Sequence, residues 1–408
     1  MAETDSSSVL PLGRQHGIFN VIDVVMDKLG HLIQTYLPKL LQILLCVTAS
    51  VALLLERREQ LKPGCIGPLK NLRRLGLLRI QDFFDNFESY QFTADEIDAV
   101  FHAIVWPQVC RLASESTYAP TALLKLIHVW SMNARYFPLL AKQRPDHPEC
   151  DLLLNVLALL SSKNVSPNTA SMVMDICENL LNMLDFTPSE TETELSINGC
   201  VIPEPDSGSD VNTEPLTVGS RLLLPHIPAV LQYLGGVVRN SDRLKKKKFR
   251  AQVSKELNIL SKISRFVTDK EQSSTLILLL LPYLHKPKTA EETELDILNT
   301  VQNLLKQSSE PRVFLKPLSK LFSIIRNKAS RKALCEVFKT LSDLDNELKY
   351  IADVAVQLNA FDSRHLDEIH FDVRLMAFQK SIKHIAEMNS LDMRYLMVIM
   401  HNCFHSFE

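Results

Sequence analysis

The side chains best able to do chemistry in this sequence are histidines and a cysteine near its C-terminal end. His401, Cys403 and His405 carry donor atoms that bind zinc, and the two histidines share a helical face because they are four residues apart. Cys403 points away from that face, and no fourth ligand is nearby. His365 and His370 are five residues apart, so they diverge around a helix. We therefore predict no metal site.

Motifs of the common enzyme classes are absent from the sequence. It contains no P-loop, no G-x-S-x-G nucleophile elbow and no H-E-x-x-H zinc motif. Glycine is scarce, with 11 residues in 408, although phosphate-binding loops and dinucleotide-binding turns depend on it. We predict a non-enzymatic protein with no catalytic residues, no cofactor and no small-molecule substrate. An active site assembled from distant residues is the alternative.

The densest charge cluster is a basic run in the second half of the chain. The formal net charge is only −2, so attraction to nucleic acid must come from local patches. A run of this kind is typical of a nuclear-localisation signal or of RNA-phosphate contact, and the alternative is the solvated start of a helix. We call the following residues the primary basic patch: Arg239, Arg243, Lys245, Lys246, Lys247, Lys248 and Arg250.

Two further basic stretches could meet phosphates as charges, without reading bases. The secondary basic patch is predicted near helix ends and consists of Lys316, Lys320, Arg326, Lys328, Arg331 and Lys332. A third stretch, much closer to the N-terminus, consists of Lys70, Arg73, Arg74 and Arg79.

Cysteine usage and hydropathy both indicate a cytosolic or nuclear protein. The cysteines form no C-x-x-C pair, which predicts reduced, buried thiols and neither a disulfide framework nor a zinc site. Residues 40–55 form an apolar stretch of about 16 residues, whereas a membrane-spanning helix needs roughly 20. We predict a helix buried on both sides in a stack of helices, and no membrane role. The cysteines are Cys46, Cys65, Cys110, Cys150, Cys177, Cys200, Cys335 and Cys403.

Helix signals recur along the chain. Thr93 with Glu96 and Thr289 with Glu292 are spaced as capping boxes, and Ser166 followed by a proline is typical of a helix start. Apolar residues with helical periodicity follow each signal, and no comparable alternating run predicts strands. These patterns indicate an all-α protein.

Helices in the last third are predicted to form pairs, as in helical-repeat proteins. A single pair cannot bury its apolar face, so pairs must stack on one another. The spacing of successive pairs is irregular and near the periods of about 40 to 47 residues found in HEAT and armadillo repeats. We predict a HEAT/armadillo-like α-solenoid of stacked antiparallel helix pairs. The predicted partners are residues 289–306 with 314–326, 331–341 with 347–358, and 363–388 with 391–404.

A change in composition divides the chain. Residues 185–219 are rich in acidic residues and proline and contain no Lys or Arg, a composition that cannot bury enough apolar surface to offset its ordering entropy. We predict a disordered N-terminus at residues 1–17, a helical-repeat block at 18–184, an acidic flexible loop at 185–219 and a second helical-repeat block at 220–408. Within the loop, a small docked segment is expected at Leu195, Ile197, Val201 and Ile202.

Long strings of residues resemble the "down-regulated in metastasis" protein family, also called small subunit processome component 20 homologue. The resemblance extends from about residue 31 to residue 408. It is much more specific than a short motif because whole strings match. These strings are residues 31–46, 68–76, 88–108, 133–151, 245–266, 269–285 and 348–378.

The resemblance implies a very large HEAT-type scaffold of the nucleolus, part of the small-subunit processome (the 90S pre-ribosome). It implies partners among processome proteins, contact with pre-rRNA or box C/D snoRNA backbone, a role in pre-rRNA processing and 18S rRNA maturation, and no catalytic centre. Because the chain is several times shorter than a full member, we expect a fragment or short isoform from the middle of the solenoid. The alternative is a protein-only adaptor or karyopherin-like module whose acidic loop contacts basic clients.

Overall fold

Amphipathic helices account for nearly all of the structure, a computed structural model. It describes residues 11–87, 90–162, 164–188, 194–204, 216–286, 289–362 and 368–406. Two compact units divide the chain, Met1–Val230 and Leu231–Glu408. The sequence predicts the break at residues 185–219, whereas the division between the units falls within one helix, Ile227–Val238. Each unit is described by itself below.

The helices of unit 1 are joined by short 3-10 turns and loops. Residues Phe101–Val105 continue α4 as a short π-helical segment. The α-helices are α1 (Leu12–Leu29), α2 (Leu37–Glu56), α3 (Pro63–Asn86), α4 (Ala94–Val100), α5 (Leu112–Glu115), α6 (Ala122–Ser131), α7 (Phe137–Leu140), α8 (Leu152–Ala158), α9 (Pro167–Asn182) and α10 (Val218–Leu223), and α11 (Ile227–Val238) crosses the division between the units.

Helices in unit 1 pack against partners that follow soon after them in sequence. Helix α3 packs against α1, α2 and α6, and α9 packs against α6 and α10. An aromatic cluster fills the centre, where Phe84 stacks on Phe92 with centroids 4.5 Å apart and meets Trp130 and Tyr136 edge-on. Such rings contribute a large apolar area and prefer these offset or edge-on geometries. Residues of this cluster therefore hold successive helix layers together.

Two glycines permit close approach between helices. At Gly76 in α3, an added Cβ would meet the side chain of Thr48 in α2. At Gly219 in α10, it would meet the carbonyl group of Leu180 in α9 and the ring of Phe137. A larger residue at either position would push the paired helices apart, because tightly packed interiors have little room for an added methyl group.

The apolar N-terminal helices satisfy a simple length and composition test for a membrane span. In the described part of the chain, the helical stretch Leu12–Glu56 is the one that does so. Core helices of soluble proteins satisfy the same test. Helix α2 buries a continuous face that includes Leu37, Leu41 and Leu44, and it packs on α3. The helix predicted at residues 40–55 is therefore buried on one face only, since Ile43 and Leu53 on its other side are exposed.

Unit 2 continues with longer helices and one short β-pairing. Its α-helices are α12 (Lys247–Ile263), α13 (Lys270–Leu284), α14 (Glu291–Leu305), α15 (Leu315–Leu321), α16 (Lys328–Leu344), α17 (Lys349–Leu358), α18 (Phe371–Glu387) and α19 (Met393–Ser406). Strands β1 (Phe361–Asp362) and β2 (Glu368–Ile369) pair antiparallel, with Phe361 opposite Ile369.

A ladder of polar side chains joins α12, α14 and α16. Residues in α12, and Ser264 in the turn that follows it, pair with α14 residues 38 or 39 positions later, and pairs between α14 and α16 are 36 or 38 positions apart. Each later residue in one helix pairs with a later residue in the next, so these three helices run parallel. The chain between them must therefore return in the opposite direction. The pairs are Ser254–Thr293, Asn258–Asp296, Ser261–Asn299, Ser264–Asn303, Glu294–Ser330 and Gln302–Thr340.

The predicted all-α fold of stacked helix pairs is confirmed within each unit. The repeat of 36 to 39 residues seen in the ladder is slightly shorter than the HEAT period. The pairing of α16 with α17 is as predicted. The pairing of residues 289–306 with 314–326 is wrong, because α14 packs chiefly against α12, α13 and α16, whereas α15 packs against α19.

Predicted helix starts are mostly confirmed. Thr93 and Glu96 form the full capping box, with Thr93 Oγ1 accepting from the Glu96 N–H at 3.2 Å. Ser166 caps α9. The capping box at Thr289 is wrong, because its hydroxyl instead donates to the carbonyl of Tyr283 at 2.7 Å. Helix α1 begins at Leu12, so the predicted disordered N-terminus is wrong for residues 12–17.

Candidate nucleic-acid interface

The centre of the primary basic patch lies where α12 begins. Lys245, Lys246, Lys247 and Lys248 are all exposed, and the first turn of α12 contains no acidic residue. A helix N-terminus already carries partial positive charge. Lysines here therefore repel the helix dipole, at a cost to stability, and concentrate positive potential on one surface. Such a surface attracts anions.

Arg243, also in the primary basic patch, has a structural role. Its guanidinium binds the carboxylate of Glu256 with both ends, at 2.7 Å and 3.1 Å, and Glu256 is only 1% exposed. Burial opposes the charge on Arg243, but the hydrogen bonds to Glu256 outweigh burial and raise the pKa of Arg243. The buried carboxylate holds Arg243 inward, which corrects the prediction that this residue offers a free charge to phosphate.

The remaining patch residues surround the four lysines. Arg239 is exposed, whereas Arg250 is half-buried and its Nε donates to the carbonyl of Leu244 at 3.0 Å. Lys245 pairs with Asp242 at 3.1 Å on the surface, and Lys248 lies 4.9 Å from the ring centre of Phe249. Exposed pairs of this kind are weak. The patch therefore keeps most of its positive charge available to solvent.

The secondary basic patch is divided by the fold. Arg331 is only 2% exposed, and its guanidinium donates to the carbonyls of Phe322 and Ile325 at 2.6 Å and 2.7 Å. It also donates to the side chains of Asn359 and Asn402, at 2.8 Å and 3.1 Å. These neutral acceptors tie α16 to the ends of α15, α17 and α19. Arg331 is therefore a core residue, which corrects its assignment to a phosphate-binding patch.

Burial also changes the acidity of Arg331. It lowers the pKa from the ordinary value of 12.5 to about 10, with a smaller contribution from the nearby charge of Arg374. The side chain is still protonated at neutral pH. Since a charged group without hydrogen bonds is very unfavourable in a core, each acceptor around Arg331 contributes to stability.

Other residues of the secondary basic patch lie at the surface. Lys316, Lys320, Arg326 and Lys332 are exposed, and Lys328 is half-buried. Lys328, Lys332 and Arg374 all lie over the ring of Phe361, at 5.2 Å, 5.8 Å and 4.9 Å from its centre. The negative face of an aromatic ring attracts cations, so these side chains are partly ordered by the β-pairing that positions Phe361.

Part of the acidic segment is docked on the helical part of unit 1. Lys142, only 7% exposed, donates through Nζ to Asp98 and to the carbonyl of Asn198, both at 2.6 Å. The backbone of Gly199 accepts from Gln143 at 2.9 Å, so residues 198–201 lie beside residues 141–143 as a short β-bridge. This geometry confirms the small docked segment expected near Val201. We call this contact the Lys142 clamp.

The acidic segment is also tied at its base. Asp185 Oδ1 accepts a hydrogen bond from the backbone N–H of Val218 at 2.7 Å, at the start of α10. Residues 189–193 and 205–215, which hold many of the acidic side chains, lie outside the described residues. Residues 198–201 of the loop predicted at 185–219 are docked, and for residues 189–193 and 205–215 the flexible loop stays a prediction. The sequence did not single out Lys142, because its partners are far away along the chain.

The metal prediction concerns residues that the structure describes only in part. His365 and the side chain of His405 lie outside the described residues. Within the described part of the chain, no group of three or more His, Cys, Asp or Glu side chains is placed to hold a metal ion. Burial lowers the pKa of His401, assisted by the charge of Lys320. That shift accompanies ordinary packing at a helix surface.

An apolar stripe runs along the exposed side of α18. Phe371, Leu375 and Ile382 are 75%, 58% and 69% exposed. Their spacing of four and seven residues places them on one helical face. These three side chains expose apolar area along one side of α18. Unit 2 therefore presents an apolar surface in addition to its basic one.

A family model matches the whole chain, residues 1–408, and is described as U3 small nucleolar RNA-associated protein 20, N-terminal. The chain belongs to this family. Among curated proteins, it is similar to U3 small nucleolar RNA-associated protein 20 of Schizosaccharomyces pombe, with 20% identity over 387 residues. The alignment covers 92% of this chain and 14% of the yeast protein.

The match supports the resemblance found in the sequence at the level of the family. The chain spans about one-seventh of the length of the curated relative, with coverage of 14%. The family model is described as N-terminal, whereas the sequence resemblance led us to expect a segment from the middle of a longer chain.

Proposed function

We propose that this chain is a non-catalytic scaffold segment of the small-subunit processome. In this proposal it acts in the nucleolus and supports pre-rRNA processing and 18S rRNA maturation through contacts with processome proteins and RNA backbone. The finer resemblance to the "down-regulated in metastasis" proteins is part of the same proposal. The name of the yeast relative associates that protein with U3 small nucleolar RNA, and we extend this association to the present chain.

The observation that supports RNA contact is the exposed lysine cluster at residues 245–248. Four adjacent cations lie at a helix start that adds its own positive potential. Lysines bind phosphates as point charges and read no bases, so the predicted binding is independent of RNA sequence. Release of counterions from RNA makes such binding weaken steeply as salt increases.

Contact with proteins is supported by two features. The α18 stripe of Phe371, Leu375 and Ile382 offers apolar area that an amphipathic helix of a partner could cover. The parallel helices α12, α14 and α16 are fixed in register by their polar ladder. A rigid array of helices can hold partners at set distances, which is the role of a scaffold.

The test replaces all four lysines at 245–248 by glutamine. We expect binding to a single-stranded RNA of mixed sequence to weaken about tenfold at low salt, and the slope of log affinity against log salt to fall by about 0.7 for each phosphate that is no longer neutralised. The matched control replaces four scattered, exposed lysines of unit 2 by glutamine: Lys262, Lys306, Lys349 and Lys380. It makes the same change in net charge without removing a cluster.

Two outcomes would reject parts of the proposal. Equal RNA binding by the patch variant and its control would show that the patch does not contact RNA. Recovery of every protein partner from cells after nuclease treatment, together with unchanged nucleolar location of the patch variant, would favour the protein-only adaptor. Crosslinking of the tagged chain in cells, followed by RNA sequencing, tests the process directly, and we expect pre-rRNA or snoRNA fragments.

A further inference from the structure

A cationic cleft lies in unit 1, far along the chain from the primary basic patch. It has a volume of about 280 Å³ and lies between α3, the end of α5 and the start of α6. Among the described residues, its charged lining consists of four cations and one carboxylate. These are Lys70, Arg73, Arg74, Lys125 and Glu115.

The three α3 cations share one face of that helix. Arg73 and Arg74 follow Lys70 by three and four positions, so all three side chains lie on the same side of α3, on adjacent turns. Lys125 approaches from α6, on the opposite wall. Arg79, the fourth residue of the third basic stretch, pairs instead with Asp23 and Asp82. Three cations of the third basic stretch therefore line the cleft, whereas Arg79 forms ion pairs with other residues of unit 1.

The positive charge in the cleft is poorly balanced. Glu115 is the nearby carboxylate, and its oxygen lies 3.8 Å from Arg73 Nη2, longer than a good charged hydrogen bond. Arg74 donates to the neutral side chain of Asn71 at 3.0 Å. Burial lowers the pKa of Arg73, Glu115 opposes this, and Arg111 lowers the pKa further. An anion in the cleft would relieve this repulsion.

The walls indicate which kind of anion fits. Leu77, Pro120 and Ala122 contribute apolar surface, and none of the residues that line the cleft is aromatic. Bases therefore have no ring to stack on, and recognition must act through charge. The start of α6 also borders the cleft, and its dipole adds to the positive potential there. Cations on successive helix turns, about 5.4 Å apart, suit a ligand with regularly repeated charges.

We propose that the Lys70–Arg73–Arg74–Lys125 cleft binds phosphate groups of an RNA backbone and is a second RNA contact, separate from the primary basic patch. This inference rests on the proposed function and deepens it. Each arginine guanidinium can donate two parallel hydrogen bonds to the oxygens of one phosphate group, and the lysines supply further positive charge at the rim. Unit 1 and unit 2 then each contact RNA through their own cations.

Two double variants of the full chain test the cleft. One is Arg73→Gln with Arg74→Gln, and the other is Lys70→Gln with Lys125→Gln. The second pair is exposed, so it can be removed without disturbing packing even if Arg73→Gln destabilises the fold. The matched control is Lys39→Gln with Lys62→Gln, two exposed lysines of unit 1 outside the cleft. The probe is the same mixed-sequence single-stranded RNA, carrying 4-thiouridine for crosslinking.

We expect each cleft variant to bind this RNA about tenfold more weakly than the control, and its salt slope to fall by about 0.7 for each phosphate that the cleft no longer neutralises. Crosslinks to α3 and α6 should disappear in both variants. If the variants match their control while the 245–248 variant binds RNA more weakly, the cleft inference is overturned and the proposed function stands.

The opposite pattern, in which only the cleft variants bind RNA more weakly, would support the cleft and reject the primary basic patch. Unchanged binding in all variants would overturn both. As a further arm, a phosphoserine peptide is titrated against the bound RNA. If the peptide binds the cleft more tightly than the RNA does, the ligand is a phosphoprotein and our inference is wrong.

Discussion

The two basic patches have similar composition and opposite environments. The lysines at 245–248 project into solvent at the start of α12, whereas Arg331, in the secondary basic patch, is enclosed by α15, α17 and α19. Exposed cations keep their hydration and bring charge to a partner. A buried cation has lost its hydration, so it stabilises the fold only through the hydrogen bonds it donates to nearby acceptors. Charge density in the sequence therefore did not reveal which cations are available for binding.

Within the primary basic patch the same contrast recurs over a few residues. Arg243 is held by buried Glu256, and Lys245, two positions later, is exposed. Arginine suits the first role because its planar fork binds a carboxylate with both ends. Lysine suits the second because its ammonium stays hydrated on a flexible stem. The substitutions below test this division between cations that hold the fold and cations that face solvent.

The largest effect is expected for Arg331→Ala. The change leaves a cavity and removes the donor from two carbonyls and from Asn359 and Asn402, so we expect unfolding of unit 2 to become easier by about 3 to 5 kcal/mol. Urea denaturation followed by circular dichroism measures this. The neighbouring exposed Lys332→Ala is the control and should change stability little. A loss equal to that of the control would mean that Arg331 is not a core residue.

A somewhat smaller loss, about 3 kcal/mol, is expected for Arg243→Ala, because it leaves the carboxylate of Glu256 buried and unpaired. Arg239→Ala, at an exposed position, is the control. Adding Glu256→Leu to an Arg243→Met variant should restore most of the stability, since replacing both charges removes the unpaired one. If the double variant were less stable than Arg243→Met alone, the buried pair would not explain the loss.

For Lys142→Met we expect the free energy of unfolding to fall by about 2 kcal/mol. The variant loses two hydrogen bonds from a charged donor, whereas methionine replaces the apolar part of the lysine side chain. The amides of Gln143 and Val201 donate to the carbonyls of Gly199 and Ala141, so their hydrogen exchange should speed up as the docked segment loosens. Lys39→Met serves as the exposed control. Unaltered exchange at these two residues would show that the Lys142 clamp does not hold the segment.

The Lys142 clamp should also depend on pH. Burial raises the pKa of Asp98, but hydrogen bonds from Lys142 and Asn198 outweigh burial and lower it. Stability from this pair is therefore present above the unfolded pKa of about 3.9 and is lost as pH falls through the lower folded value. The protection factor of the Val201 amide, which is the intrinsic exchange rate at each pH divided by the measured rate, should fall on acidification in the wild type. In Lys142→Met this extra pH dependence should be reduced.

The smallest effect on stability is expected for the four-glutamine variant of residues 245–248. Exposed substitutions typically change the free energy of unfolding by less than about 0.5 kcal/mol. A slight gain is expected, because four positive charges no longer oppose the helix dipole. Thermal unfolding at low salt measures it. A melting temperature several degrees lower would mean that these lysines hold structure, and weaker RNA binding would then follow from unfolding and not from the missing charges.

Local signals predicted the helices well. The capping box at Thr93 and the N-cap at Ser166 act within a few residues, so sequence spacing was enough to locate them. Prediction failed where the partner is distant. Arg331 bonds to Asn402, 71 positions away, and Lys142 bonds to Asn198, 56 positions away. The four exposed lysines were identified as a charged surface without any such partner, and their binding role stays a prediction.

The sequence by itself determined that this protein is helical, because apolar periodicity and capping act between neighbours along the chain. Long strings of residues in the sequence also indicated the family to which the chain belongs. Tertiary structure alone decided which cations are exposed, which helices run parallel and where the acidic segment docks. The reason is that the free energy of a charge depends on the hydration and acceptors around it, and these are supplied by residues brought together only when the helices pack.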